Sequence, residues 1–353
     1  MNILHMVDVP WDSGLAHYAL TLAAGQKARG HRVWVSTIPG QKPWAKAHRL
    51  GVPTVPLATW KSVSRLRSFL RENRVEIVNA HTGATHSVAV MAATGGPAAV
   101  IRTRSDARRV RKSFGSGFLY RRTARVIAAA DYIRQDFLLT LDLSPDHVVT
   151  IPQGIDTVTF RPSPLPEPPI VGIVARLDPV KGHRYLLEAV AMLRPHDAVI
   201  RLKVAGQPEN VKLSELKALA GRLGVEPYVD FLGFQPDISK VMQTCTIGVI
   251  ASTGSEAVSR VALEWMASGR PVVATRVGCL PEVVRDRETG VLVEPESAGA
   301  LAEGLSRLLN DPTATALMAQ RARQRAEEKF SLPVVLEQTE KVYAQAMNEA
   351  HAC

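Results

Sequence analysis

The chain opens on a run of apolar positions, Ile3, Leu4, Met6 and Val7, followed by a polar turn holding Asp12, Ser13 and Gly14. In the next stretch, LAHYALTLAAGQKARGH, the positions Leu15, Tyr18, Ala19, Leu22 and Ala23 recur at helical spacing until Gly30 stops the pattern. RVWVST then reads as a second strand. The same order of strand, turn and helix recurs through VEIVNAH, AAVIRT, ARVIAAA and HVVTIPQG. Alternation of this kind predicts an α/β fold built on a doubly wound parallel sheet.

From Pro162 to Pro169 the sequence PSPLPEPP supports neither a helix nor a central strand, because most of its residues lack an amide donor or precede one that does. A second α/β series follows, with strand-like runs IVGIVA, VIRLKVAG, YVDFLG, TIGVIA, PVVAT and GVLVEP. Helical segments then run to the end, interrupted at Asp311-Pro312 and at Ser331-Leu332-Pro333. The expected organisation is a Rossmann-like domain over 1–161, a Pro-rich linker over 162–169, a second Rossmann-like domain over 170–330 and a terminal helix over 331–353. Two such domains joined by a hinge are expected to form a cleft between the carboxyl ends of their sheets, where open α/β folds bind ligands.

Composition narrows the partners. With 353 residues, 46% of them apolar, the chain can bury two cores, and its formal charge of +10 points to anionic partners such as phosphates, nucleic acid or acidic lipid. Cys245, Cys279 and Cys353 lack the short spacings of a metal site or disulfide framework and fit a reducing compartment. Asp8 comes too early for a signal peptide, and no apolar run reaches the ~18 residues of a membrane span. The expected location is cytoplasmic, with any membrane contact peripheral.

Two segments carry candidate chemistry. In GIVARLDPVKGHRYLLEAVAML, Arg176 and Lys181 stand in a loop between a strand and a helix, where the helix dipole, backbone amides and both cations favour a diphosphate. The competing reading is a pair of solvated loop cations; the turn at Gly182 weighs against it. In GSEAVSRVALEWMASGRPVVAT, residues 254–275, Glu256 falls in a loop and Glu264 within a helix, on a side otherwise apolar. A buried carboxylate is costly without partners, and a ligand rich in hydroxyls would supply them. Alternatively Glu264 pairs with a neighbouring Arg. Ser259 and Arg260 could add contacts to the same phosphates.

The segments ARLDPVKGH, SEAVSRVALEWMASGRPVVAT, VGCLPEVV and TGVLVEP, in this order and spacing, resemble the donor half of the retaining glycosyltransferases of family four, which have the GT-B fold. DSGLAHYALTLAAGQKARGH, VEIVNAH and VVTIPQGID extend the resemblance, more loosely, over the first half. The resemblance implies that Arg176 and Lys181 bind the nucleotide diphosphate and stabilise it as leaving group. It implies that Glu256 holds hydroxyls of the transferred sugar and Glu264 those of the ribose. His81 matches a histidine near the donor sugar and reaction centre; read alone, a His after a strand is more often a hydrogen-bonded core or surface residue. Gly14 matches the small residue of a first loop that closes over donor and acceptor. The terminal helix is expected to cross back to the first domain. The sequence departs from the family at Ala257-Val258-Ser259 and at Cys279, where glycines are common.

No Asp-x-Asp and no cluster of His or Cys occurs, so the sequence predicts no bound metal and no cofactor beyond the nucleotide-sugar co-substrate. The cationic pair is then expected to draw charge onto the departing nucleoside diphosphate, while an acceptor hydroxyl attacks from the leaving-group face and a phosphate oxygen takes its proton. Between Arg102 and Arg125, RTRSDARRVRKSFGSGFLYRRTAR interleaves aromatics with nine basic residues against one acid. It is a candidate for an anionic membrane surface or for acceptor phosphates, a solvated face being the plain alternative. Acceptors of that chemistry include a lipopolysaccharide core or a polyprenyl-linked glycan. No recognised nucleic-acid module accompanies the segment, and nucleic acid is not expected as a partner. A GT-B nucleotide-sugar epimerase and a non-catalytic polyanion-binding module are the rival readings.

Overall fold

The computed structural model describes residues 1–193, 200–254 and 256–352; Ser255 and Cys353 lie outside the described residues. The chain divides into two units, Met1–Gly154 with Leu332–Cys353, and Ile155–Ser331. The change of unit falls at 154/155, and the Pro-rich 162–169 lies within the second unit.

The first unit holds a seven-stranded parallel sheet of β1 (Asn2–Met6), β2 (Arg32–Ser36), β3 (Thr54–Val55), β4 (Ile77–Ala80), β5 (Ala99–Arg104), β6 (Arg125–Ala128) and β7 (Val148–Thr150). Their order is β3-β2-β1-β4-β5-β6-β7, which puts the reversal of winding between β1 and β4. The short β3 has only two residues and left no periodic signal in the sequence. Ile3, Leu4 and Met6 are fully buried, as expected of a parallel strand covered on both faces. The helix Gly14–Ala28 starts where Ser13 Oγ accepts from the Ala16 amide at 3.2 Å. The terminal helix Leu332–Ala352 packs in this unit, where Tyr343 is fully buried and Leu336 lies against Gly25.

The second unit holds β8 (Ile170–Val174), β9 (Arg201–Ala205), β10 (Val229–Gly233), β11 (Ile247–Ile250), β12 (Val272–Thr275) and β13 (Gly290–Val293). All run parallel in the order β10-β9-β8-β11-β12-β13, so winding reverses between β8 and β11. Trp265 is buried over the sheet because Gly172 in β8 and Gly248 in β11 leave room for it; a Cβ on Gly248 would stand 2.4 Å from the indole. The Pro-rich segment is held by Arg270, whose buried guanidinium donates to Ser163 O at 2.8 Å, Gln243 O at 3.0 Å and Pro164 O at 3.3 Å. Ser163 Oγ donates to the same Gln243 carbonyl at 3.1 Å, which ties the segment to the end of the helix Ile238–Gln243. No helix among the described residues is long and apolar enough to cross a membrane.

Candidate functional site

In the second unit the candidate residues gather at the carboxyl ends of β8 and β11, the two strands at the reversal of winding. Open α/β sheets bind ligands there because the adjoining loops diverge to opposite faces. After β8, Asp178 caps a short turn, accepting from the Val180 amide at 3.0 Å and from Asn210 at 2.6 Å. The turn Pro179–Lys181 ends at Gly182, and the helix His183–Leu193 begins. Gly182 has φ +67°, and a Cβ there would lie 1.9 Å from the Ala251 carbonyl. This close approach brings the turn against the loop following β11.

Its consequence is an ion pair between residues 75 apart in sequence, Lys181 Nζ to Glu256 Oε1 at 2.5 Å. Ser252 donates to the same carboxylate oxygen at 2.6 Å. Glu256 is 4% exposed and Lys181 retains 19%, so the cation is the more open partner. The backbone of Glu256 is fixed as well, its carbonyl accepting from the Cys279 amide at 2.8 Å. Gly278, at φ +55°, makes this possible, since a Cβ there would lie 2.0 Å from the same carbonyl. Arg176 stands apart from the pair, half exposed, with Glu209 at 3.3 Å. Folding supplies each of the two cations with a carboxylate.

Ser259 takes a left-handed conformation at φ 31° before the helix Arg260–Ala267, and its buried Oγ has no partner among the described residues. Within that helix Arg260 Nε meets Glu264 Oε1 at 3.0 Å. The neighbouring-Arg reading therefore holds for one oxygen of Glu264. The other, Oε2, is buried and has no partner among the described residues. Burial pushes the Glu264 carboxyl pKa up, and Arg260 offsets only part of that shift.

In the first unit, Gly14 is exposed at the first turn of its helix. His81 follows β4 and is fully buried, as are His5 and Asn79. His81 Nε2 lies 3.0 Å from His5 Nδ1, and His5 Nε2 lies 2.7 Å from Gln26 Oε1. Asn79 Nδ2 donates to the Tyr343 hydroxyl at 2.6 Å. Sequence reasoning missed Ser252, Glu209, His5 and Gln26. His5 did leave a signal, a polar residue inside an otherwise apolar strand.

The basic stretch does not form one surface. Arg102 is buried within β5, donating to Ala80 O at 3.0 Å, and Arg125 pairs with Glu349. The loop 105–115 keeps Arg108, Arg109, Arg111 and Lys112 exposed, with Phe114 fully exposed beside them. Phe118 is 40% exposed and carries Arg122 over its ring at 4.2 Å.

A family model described as Glycosyltransferase Family 4 matches residues 13–159, and one described as Glycosyl transferases group 1 matches residues 156–328. The D-inositol 3-phosphate glycosyltransferase of Corynebacterium aurimucosum is 34% identical over 234 residues, 61% of this chain and 55% of that protein. The MMP alpha-(1->4)-mannosyltransferase of Mycolicibacterium hassiacum is 32% identical over 253 residues, 69% of this chain and 60% of its own. The chain thus spans somewhat over half the length of these curated relatives. Among solved structures, a glycosyltransferase from Rickettsia africae superposes with TM-score 0.88 at 20% identity over 98% of both chains. The Anabaena protein HepE in complex with UDP superposes with TM-score 0.85 at 22% identity, over 98% of this chain and 100% of that one. The fold is therefore GT-B, with two Rossmann-like parallel-sheet units.

Proposed function

With one glycosyltransferase family model matched to each half of a GT-B chain, we propose that this protein transfers a sugar from a nucleotide-sugar donor to an acceptor hydroxyl, without a metal and with retention. The observation that carries the reading is the grouping of Lys181, Glu256 and Glu264 at the carboxyl ends of β8 and β11 and the helix behind them, with two buried polar atoms, Ser259 Oγ and Glu264 Oε2, left for a ligand. Lys181 and Arg176 take the diphosphate, and Ser259 and Arg260 add contacts to it. Glu256 holds sugar hydroxyls and Glu264 the ribose diol. Glu256 neutralises Lys181 in the structure. A bound diphosphate brings the negative charge that Lys181 then shares as the glycosidic bond breaks.

The acceptor is one that carries phosphate, of the class found in lipopolysaccharide cores and other cell-envelope glycans. The relatives named for D-inositol 3-phosphate support a phosphorylated acceptor, and the loop 105–115 supplies exposed cations for it. For His81 and Gly14 the reading as donor-sugar residues rests on the resemblance in sequence alone. The protein works in the cytoplasm, and the same loop, with Phe114 at its tip, rests on the anionic inner membrane surface.

A thermal-shift screen against UDP, GDP, ADP and CDP and their sugar conjugates tests the donor site, because a ligand of the folded state raises the melting temperature according to its affinity. A selective shift is expected; no shift with any of them would sink the reading. Sedimentation with vesicles containing phosphatidylglycerol tests the membrane contact. Charge reversal at Arg108, Arg109 and Arg111 should abolish it, and retention of binding would remove the loop from the account.

A further inference from the structure

We propose that the outer face of the helices Val63–Glu72, Gly83–Ala93 and Ser116–Arg121 is a docking surface for an anionic lipid bilayer, with Trp60 and Phe114 as the side chains that enter it. The proposal rests on the reading above that the loop 105–115 meets such a surface. It adds a second basic segment, distant in sequence, and between the two a helix that carries no Lys, Arg, Asp or Glu.

Sheet topology puts the three helices side by side. In the order β3-β2-β1-β4-β5-β6, the crossovers from β3 to β4, from β4 to β5 and from β5 to β6 all advance in one direction, and right-handed crossovers that advance one way lie on one face of a sheet. Packing agrees. Leu66 and Leu70 of the first helix share a buried core with Val88 and Ala92 of the second, and Leu119 of the third lies against it. Arg67 ties the first helix to the end of the second, donating to Met91 O at 2.7 Å and to Ala92 O at 3.2 Å. His86 Nε2 lies 2.7 Å from Thr123 Oγ1, which joins the second helix to the chain just after the third.

The helices differ in what they turn outward. On the first and the turn before it, Lys61, Arg65, Ser68 and Arg71 are exposed at helical spacing, opposite the buried Leu66 and Leu70. On the second, the accessible positions are Gly83, Ala84, Ser87 and Met91, none of them charged. On the far side stand the exposed cations of the loop 105–115, then Arg121 and Arg122. Residues 59–72, 83–93 and 105–122 together hold ten Lys and Arg against two acids, Glu72 and Asp106, so this face is strongly positive around an uncharged centre. Trp60 is 58% exposed ahead of the first helix and Phe114 fully exposed ahead of the third, which puts two large apolar side chains on the carboxyl edge of the sheet, one in each basic segment. The acids Glu337, Glu340 and Glu349 lie on the terminal helix, which packs on the helix Gly14–Ala28 of the other face. A face meant only for water would carry charge across its middle helix too. An uncharged centre rimmed by cations and aromatic rings matches a bilayer, whose headgroups are anionic and whose interior is apolar. A soluble polyanion would use the cations and leave Trp60 and Met91 in water.

The test uses the intact chain and vesicles of phosphatidylcholine with or without phosphatidylglycerol. Wild type should sediment with the anionic vesicles and not with the neutral ones. The triple variant Lys61→Gln, Arg65→Gln, Arg71→Gln should bind about a hundredfold more weakly, at about fivefold for each cation near an anionic surface. Its melting temperature should be unchanged, because all three side chains are exposed. Anionic vesicles with brominated acyl chains read insertion: on binding, wild type should lose more fluorescence than Trp60→Phe, and equal losses would overturn Trp60 as an anchor. Equal binding by wild type and the triple variant, with binding lost on charge reversal at Arg108, Arg109 and Arg111, overturns this surface and leaves the loop reading standing. Failure of wild type to sediment with any vesicle overturns both. Binding to soluble polyphosphate that matches binding to the vesicles, phosphate for phosphate, overturns the assignment to lipid.

Discussion

Replacing Glu264 with Gln separates what the carboxylate costs the empty protein from what it contributes to the liganded one. Its Oε1 meets Arg260 at 3.0 Å, but that arginine is 40% exposed, so the pair contributes at most about 1 kcal/mol. Its Oε2 is buried without a partner among the described residues, and an unmet group of that kind costs about 1–3 kcal/mol. The neutral amide avoids most of the penalty. The empty variant is expected to be more stable than wild type at neutral pH by about 1 kcal/mol, a rise in melting temperature of roughly 2–4 °C for a unit of this size.

The pH dependence has a definite sign. Burial raises the Glu264 pKa above its ordinary 4.5, so the folded wild type favours the protonated acid. Below that ordinary value both forms are neutral and the two proteins should converge. As pH rises from 4.5 through the raised value, wild type loses stability relative to the variant, and the gap is constant above that window. With nucleotide the order reverses. Hydrogen bonds from ribose hydroxyls to a carboxylate are worth about 1.5–3 kcal/mol, a loss of roughly 10- to 150-fold in affinity for the amide. At 100 times the wild-type dissociation constant, wild type gains about 2.7 kcal/mol and the variant about 0.3–1.4. Urea unfolding of both proteins from pH 4 to 8, with and without the nucleotide selected by the thermal-shift screen, measures all three quantities. An empty variant less stable than wild type would show that Oε2 is already satisfied; equal ligand stabilisation would remove Glu264 from the ribose.

Three further outcomes follow from the same geometry. Lys181→Met leaves Glu256 buried with Ser252 as its side-chain partner and should cost about 3 kcal/mol in urea unfolding; adding Glu256→Gln should recover most of that stability but not sugar transfer, and an additive double variant would refute the coupling. Gly182→Ala, at φ +67° and with its Cβ 1.9 Å from the Ala251 carbonyl, should lose more than about 3 kcal/mol or fail to fold; wild-type stability would mean the turn has room to move. Arg270→Met should expose the Pro-rich segment, read as new cleavage within 162–169 in limited proteolysis, and an unchanged pattern would show that other contacts hold it.

Two parallel sheets were legible in the sequence because each depends on local pattern. Apolar runs such as those of β1 and β11 must be covered on both faces, and helical spacing from Leu15 to Ala23 supplies the cover. The candidate donor residues were legible for a similar reason. Arg176, Lys181, Glu256 and Glu264 lie in loops and helix starts just after strands, and chain order alone puts those at the carboxyl edge of a parallel sheet. The unit boundary was less so: proline marks a segment that cannot join a ladder, but contacts from Arg270 and Thr246, contributed from beyond the segment, decide that it packs as part of the second unit.

The pairings belong to tertiary structure, because charge and hydrogen-bonding capacity are properties of a residue while their satisfaction is a property of a neighbourhood. Sequence supplied two cations and two acids. Folding joined Lys181 to Glu256 through the close approach at Gly182, gave Arg176 to Glu209, and left one oxygen of Glu264 without a partner among the described residues. Likewise the stretch from Arg102 to Arg125 is mostly basic as sequence, yet the strand β5 buries Arg102 while the loop after it exposes Arg108, Arg109, Arg111 and Lys112. His5 meets His81 only because β1 and β4 are neighbours at the reversal of winding, an adjacency that hydrogen bonding between distant strands sets and no local pattern encodes.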